Sequence, residues 1–415
     1  MEDASMELKV TGIMGIFEQS LGIEEPWFIR SVETVNNEVH IYVDVRDLVP
    51  LKCPECGKPC RRAGFEDTER VWRHTDVCLY PCYVHCRRPR VTCDDHKTKL
   101  VEVPWGRKKG KLTYMMEHYV LLLLHDIPVR KLAETLKINE KTLTKTLRYW
   151  VNDAVEKDDL STVRSIAVDE TSFKRGQSYV TVISDIQKRR VIDVEYGRSS
   201  ECIYEFSLKL EKKGGKCENI RNFSCDMSSA YKLGCEDWFP KATLTIDKFH
   251  VKQLILNGME EVRKEETGIK KKKTGPKKLL MIPESRQTEE QAKQISELSK
   301  KYPKTGRAYR MVQCLDEVYK SRDYFEAREK MNKLINWLKR SRLEPMKKVG
   351  ETFKQRKKEI LSYFLSRITN AIAEGINSMI QAAKRKARGF RTIEGFTAMI
   401  YLVVGKFKLN CPSMI

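Results

Sequence analysis

What the sequence lacks narrows it first. No stretch is apolar for long enough to cross a bilayer, and a run such as YVLLLL at 119–124 is at most a helix core. Glu2, Asp3 and Glu7 interrupt the pattern a signal peptide would need. There is no internal repeat and no extended low-complexity tract. Acids are in deficit: 57 Asp and Glu face 78 Lys and Arg, for a formal net charge of +21. That balance is expected of a chain that meets a polyanion, nucleic acid foremost, and no membrane. A cytoplasmic, nucleoid-associated location follows as the expectation.

What is present fits a globular protein, with 33% charged and 41% hydrophobic residues. At 415 residues the chain exceeds one ordinary core, so about two to four domains are expected. With 13 cysteines and no export signal, thiols and a bound metal are expected rather than disulfides.

Residues 27–45, WFIRSVETVNNEVHIYVDV, read as a β-hairpin turning at Asn36 and Asn37. Helices are expected over 112–151. Strands are expected near 165–170, 178–186, 190–196, 219–226 and 242–247, with helices near 201–211, near 228–236 and from about 248. The run IKKKKTGPKKLLMIP is a basic break, and 287–390 is helical and highly charged.

Seven of the 13 cysteines fall between residues 53 and 93. CPEC places Cys53 and Cys56 on one knuckle, and CDDH places Cys93 and His96 at the same spacing. Two such pairs close a tetrahedral site, and four protein ligands make a structural Zn²⁺ site rather than a catalytic one. Cys60, His74, Cys78, Cys82, His85 and Cys86 remain spare candidates.

In IPVRKLAETLKINEKTLTKTLRYWV, Pro128 opens a helix, Lys137 and Ile138 make a tight turn, and Asn139 caps a second helix. Val129, Leu132, Ala133 and Leu136 face Ile138, Leu143 and Leu147 as an apolar corner. Lys141, Thr142, Lys145 and Arg148 are left outside, the layout of a helix-turn-helix whose second helix meets DNA.

The stretch SIAVDETSF poses a question. Ile166 and Val168 read as a buried strand, yet it ends in Asp169 and Glu170. A charge there is costly to desolvate unless something pairs with it. NFSCDMSSAY places Asp226 at a second strand end, with Ser228 ready to cap the next helix. In RITNAIAEGINSMIQAAKRKARGF, Ile368, Ile372, Ile376, Met379 and Ile380 form an apolar stripe, with Glu374, Asn370, Asn377 and Gln381 opposite. Periodicity alone makes Glu374 a solvated residue. From Leu361 to Ile393, however, it is the only acid among six lysines and arginines, with Lys384, Arg385, Lys386 and Arg388 shortly after it. A lone acid on a basic face suits a metal ligand beside bound DNA. Converging acids repel one another unless divalent cations neutralise them, and Mg²⁺ favours such oxygens.

With these motifs in place, the chain resembles the DDE transposases of bacterial insertion sequences, specifically the ISL-three family. The resemblance runs through CPEC, the helix pair, AVDETSFKRG, CDMSSAY, IDKFHVKQL and AEGINSMIQAAKRKARGF. It implies a multi-domain α+β protein: a zinc-binding module, a helix-turn-helix, and an α/β ribonuclease H-like catalytic core with a helical insertion. It implies that Asp169, Asp226 and Glu374 hold two Mg²⁺ or Mn²⁺ ions. Asp247 and His250 in DKFH resemble an Asp-x-x-His signature that accompanies the second Asp. The implied reaction is nicking at terminal inverted repeats, then attack of the freed 3′ hydroxyl on target DNA. Its partners are double-stranded DNA, at the element's ends and at the target, and further copies of the chain in a synaptic homo-oligomer. The family's usual four-cysteine pattern is not kept, since His96 stands where a cysteine is common.

The expected organisation is an N-terminal helix and hairpin (1–50), a zinc module (51–100) and a helix-turn-helix (112–155). The core spans 160–264 and 361–405, around a helical insertion at 265–360. Asp169 and Asp226 lie 57 residues apart, and Glu374 follows 148 residues later, which leaves room for that insertion. Two other readings stay open: a non-enzymatic zinc and helix-turn-helix DNA-binding regulator, or a ribonuclease H-like nuclease without strand transfer.

Overall fold

A computed structural model describes residues 12–174, 178–268, 275–366 and 371–412. The expectations resting on Glu2, Asp3, Glu7, Ile368 and Asn370, and on the lysine run at 270–273, lie outside those residues. The chain divides into two compact units, one formed by 1–155, 383–402 and 407–415, the other by 156–382 and 403–406.

The first unit opens with α1 (Gly12–Leu21), β1 (Trp27–Val35) and β2 (Glu38–Val45). Asn36 and Asn37 both adopt positive φ, 49° and 62°, giving the hairpin the turn that matches strand twist. Next come β3 (Leu51–Lys52), β4 (Pro59–Phe65), β5 (Arg70–Val77), β6 (Tyr80–Cys86), β7 (Pro89–Cys93) and β8 (Lys97–Leu100). They form two four-stranded sheets, ordered β1-β2-β6-β5 and β3-β4-β7-β8. Strict in–out alternation along β2 buries Val39, Ile41, Val43 and Val45 on one side. Trp105 sits edge-on to both Trp27 and Trp72 at centroid distances of 5.2 and 5.7 Å, anchoring this core. Three helices follow: α2 (Tyr114–Leu124), α3 (Val129–Leu136) and α4 (Glu140–Glu156).

In the second unit, β9 (Ser165–Ser172), β10 (Tyr179–Asp185) and β11 (Arg190–Tyr196) make an antiparallel meander. Helix α5 (Ser200–Lys212) leads to β12 (Asn222–Cys225), α6 (Ser229–Trp238), β13 (Thr243–Ile246) and α7 (Lys248–Thr267). The sheet order is β11-β10-β9-β12-β13, with β12 parallel to both β9 and β13. Ile203, Phe206 and Leu210 of α5 pack with Tyr231, Cys235 and Phe239 against Ile166, Val168 and Phe223. Each such apolar side chain contributes about 1.5–3 kcal/mol on full burial. A Cβ on Gly234 would sit 2.7 Å from the Ile203 side chain, so only glycine lets α5 and α6 approach this closely.

A second core in this unit is helical. It is built by α7 with α8 (Gly275–Leu280), α9 (Glu289–Lys301), α10 (Pro303–Tyr319), α11 (Tyr324–Arg340), α12 (Glu344–Gln355), α13 (Lys357–Leu361) and α14 (Tyr363–Ser366). The chain ends with α15 (Ala371–Lys386) and α16 (Ile393–Val404).

Three expectations need correction. Strand β9 does not stop at Asp169 but runs on to Ser172, because β10 keeps pairing with it as far as Tyr179↔Ser172. What stops near Asp169 is the parallel neighbour, whose last paired residue there is Ser224, opposite Ala167. Strand β12 starts later than expected, since Cys217–Asn219 is a 3₁₀ turn. Met379, assigned to the apolar stripe of α15, is 46% exposed; Ala373, Ile376 and Ile380 carry the buried side instead.

Candidate functional site

The sheet register places acids at one level on three adjacent strands. Ser224 pairs with Ala167 and Cys225 with Ile246. Continued along the strands, that register sets Asp226 level with both Asp169 and Asp247, where the parallel strands run out. Asp226 follows the last residue of β12, and its Oδ1 accepts the Ser228 amide at 2.8 Å. The Ser228 hydroxyl makes no cap bond of its own, contrary to expectation. Asp247 is the N-cap of α7, accepting the Phe249 amide at 3.2 Å, and one turn on His250 Nε2 lies 3.9 Å from its carboxylate.

The electrostatics follow from that crowding. Burial, with repulsion from Asp226 and Asp247, pushes the Asp169 carboxyl up to about 6, against the opposing pull of the Glu170 amide and His250. Burial and Asp226 also raise Glu170, while Arg198, 3.9 Å away, pulls the other way. Burial and Asp247 raise Glu374. A set of oxygen donors with surplus negative charge suits a hard divalent cation.

Glu374 lies in the first turn of α15 and is exposed, as periodicity suggests. Its face of the helix is nevertheless not simply solvated. Asn377 donates through Nδ2 to Asp169 Oδ2 at 2.5 Å, and Gln381 donates through Nε2 to Thr171 Oγ1 at 2.6 Å. The polar side of α15 therefore rests on the strand that carries Asp169. Sequence reading put Asn377 and Gln381 beside Glu374 but gave them no role. The available signal was an amide three and seven residues after the acid, on a helix whose other side is apolar.

In the first unit, Cys53, Cys56, Cys93 and His96 converge, their ligand atoms all within 4.8 Å of one another. Among the described residues no other group of three or more Cys, His, Asp or Glu closes so tightly, the carboxylate cluster included. Cys56 Sγ lies 3.7 Å from Cys93 Sγ, and His96 Nδ1 lies 3.8 and 3.7 Å from Cys53 and Cys93. A tetrahedron with 2.3 Å metal–sulfur bonds has edges of about 3.8 Å, so the residues fit zinc. Gly57, at φ +71°, lets the first knuckle fold back so that its amide meets the Cys53 carbonyl. Lys58 bridges to Asp95 of the second knuckle at 2.7 Å. Of the spare candidates, Cys82 and Cys86 are buried in the β1-β2-β6-β5 sheet, His74 meets Thr113 and His85 meets Glu69; Cys60 lies beside the cluster, close to Cys93, and Cys78 is exposed.

Also in this unit, α3 ends at Lys137 in the left-handed conformation, and Asn139 Oδ1 accepts the Lys141 amide at 2.8 Å to open α4. Leu132, Leu136, Ile138, Leu143 and Leu147 are buried, whereas Lys141, Lys145 and Arg148 are exposed and Thr142 half-buried. Arg385, Lys386 and Arg388 are exposed and Lys384 half-buried; Lys386 lies 3.9 Å from Asp126.

The family comparison sets this chain among the transposases. It belongs to the ISL-three family of DDE transposases, whose family model, described as a transposase, matches residues 166–400. The transposase for insertion sequence element IS1001 of Bordetella parapertussis is 25% identical over 393 residues, covering 91% of this chain and 94% of that one. The transposase for IS1557 of Mycobacterium tuberculosis is 22% identical over 436 residues, covering 96% and 97%. Among solved structures, the Drosophila P element transposase strand transfer complex matches at TM-score 0.39 and 10% identity, over 73% of this chain and 94% of that one.

Proposed function

We propose that this protein is the transposase of an insertion sequence, and that its second unit holds a ribonuclease H-like catalytic core. Asp169, Asp226 and Glu374 are its metal-binding acids; Asp247 and His250 stand beside them. The observation that carries the reading is the common level of Asp169, Asp226 and Asp247 on three neighbouring strands, with the polar face of α15 on the same strand. Two Mg²⁺ or Mn²⁺ ions bound there would activate an attacking oxygen and stabilise the leaving oxygen of a phosphodiester.

The chain's own residues supply the rest. The three acids hold positive charge where the scissile phosphate must sit, and His250, close to Asp247, partly offsets the repulsion among them. Cys53, Cys56, Cys93 and His96 hold a structural zinc. Lys141, Thr142, Lys145 and Arg148 on α4 meet double-stranded DNA at the terminal inverted repeats as the second helix of a helix-turn-helix. Lys384, Arg385, Lys386 and Arg388 add phosphate contacts. Nicking at the ends is followed by strand transfer to target DNA within a homo-oligomer.

The test is Glu374→Gln, which keeps size and helix propensity but removes the charge. Cleavage of repeat-end DNA with Mg²⁺ is expected to fall at least ~100-fold, with DNA binding intact. Glu394→Gln, an exposed acid on α16, serves as control and should cleave normally. Normal cleavage by Glu374→Gln would remove it from the site.

A further inference from the structure

The two hydrogen bonds between α15 and β9 form a ladder. Asp169 and Thr171 are two residues apart on a strand, an advance of about 6.6 Å. Asn377 and Gln381 are four apart on a helix, an advance of about 6 Å. The two periods match, so both amides reach the same face of β9 in step. Asp169 is thereby held at both oxygens: Oδ1 accepts the Glu170 amide at 2.8 Å, and Oδ2 accepts Asn377 Nδ2.

Asn377 makes this contact at a cost. Its own Oδ1 is buried and has no hydrogen-bond partner among the described residues. An unpaired buried acceptor is unfavourable, and a residue kept only for packing would not need an amide there. Local rules broken in this way tend to mark functional positions.

We propose that Asn377 is a positioning residue for Asp169, and that its rung, with the Gln381–Thr171 rung, sets the level at which the Glu374-bearing helix docks on the strand. The inference rests on the reading of Asp169 and Glu374 as metal-binding acids. The helix places Glu374 one turn before Asn377, so the same ladder that orients one acid fixes the height of the other. Groups that orient a metal-binding side chain commonly change metal affinity or activity by about 10–100-fold when removed.

The experiment uses full-length, zinc-loaded protein carrying Asn377→Ala, Asn377→Ser, Gln381→Ala or Asp169→Asn. Mn²⁺ affinity is measured by titration without DNA, alongside metal-free thermal unfolding and repeat-end nicking. Asn377→Ala is expected to weaken Mn²⁺ binding about tenfold or more and to raise the Mn²⁺ needed for half-maximal nicking. Asn377→Ser, which restores a donor, should recover part of both, and Gln381→Ala should show a smaller loss. Wild-type Mn²⁺ affinity in Asn377→Ala, or a lowered melting temperature with unchanged Mn²⁺ affinity, overturns the positioning role. Should Asn377→Ala fail to fold, wild-type Mn²⁺ affinity in Gln381→Ala overturns the ladder instead. Normal Mn²⁺ binding and nicking by Asp169→Asn would overturn the underlying carboxylate site, an outcome distinct from failure of the ladder alone.

Discussion

Arg107 reaches the fully buried carboxylate of Glu117 from a loop ten residues earlier, donating through Nε at 2.8 and 2.9 Å. Trp150 Nε1 donates to the same carboxylate at 2.7 Å, so one acid ties the loop, α2 and α4 together.

Breaking that junction on one side should be severe. Glu117→Ala leaves Arg107 without its partner in a low-dielectric setting and is expected to cost about 3–5 kcal/mol in urea unfolding. Replacing both, as Glu117→Leu with Arg107→Leu, should recover a substantial part, because no lone charge remains. Equal losses in the single and double variants would show that the pair matters for shape rather than charge.

His74 predicts an acid sensitivity. Burial, with Arg73 close by, lowers its pKa from 6.5 to about 4. Its Nδ1 lies 2.9 Å from the Thr113 hydroxyl, which accepts the Met116 amide as the cap of α2. Between those pKa values the unfolded chain binds a proton that the folded one refuses. The stabilisation is therefore complete above about pH 6.5 and lost as pH falls toward 4, by about 3 kcal/mol. A stability series over that range should lose much of its slope in His74→Gln; an unchanged slope would assign it to other groups.

Metal content tests the knuckles. The intact chain should carry about one zinc, and Cys93→Ser should lose it and loosen the β3-β4-β7-β8 sheet. Slowed exchange of the Lys58 and Gly57 amides should vanish with the metal. Protein that is fully folded without zinc and indifferent to chelators would refute the site.

The exposed face of α4 makes an electrostatic prediction. Replacing Lys141, Lys145 and Arg148 together by alanine should flatten the salt dependence of repeat-end binding by about three units of slope, if each meets one phosphate. Fluorescence anisotropy across a salt series measures it. An unchanged slope would give the helix pair a structural role.

The sequence carried the parts whose signals are local. Asn36–Asn37, the paired knuckles and the short apolar run around Val168 each declare their geometry within a few residues. What it hid were relationships across long separations. Ser228 does stand at the N-cap of α6, but its hydroxyl makes no cap bond, and its own amide donates back to Asp226. Met379 looked buried because a helical stripe does not say how wide its contact is. Glu374 looked solvated because one-dimensional periodicity divides a helix into apolar and polar faces. A polar face can also dock, when a strand offers it a carboxylate and a hydroxyl at matching intervals.

The order of the acids along the chain has a consequence for synthesis. Asp169, Asp226 and Asp247 leave the ribosome within 78 residues of one another, and Glu374 follows 127 residues later, only after the whole helical layer. At about 5–20 residues per second, that interval is on the order of ten seconds. Throughout it the nascent chain already possesses both knuckles and the helix pair, but lacks Glu374. On the proposed reading, a newborn chain, or one ended early by a stop codon within the helical layer, would occupy the element's ends without cleaving them. Such a chain would compete with finished enzyme, so premature termination would restrain the element.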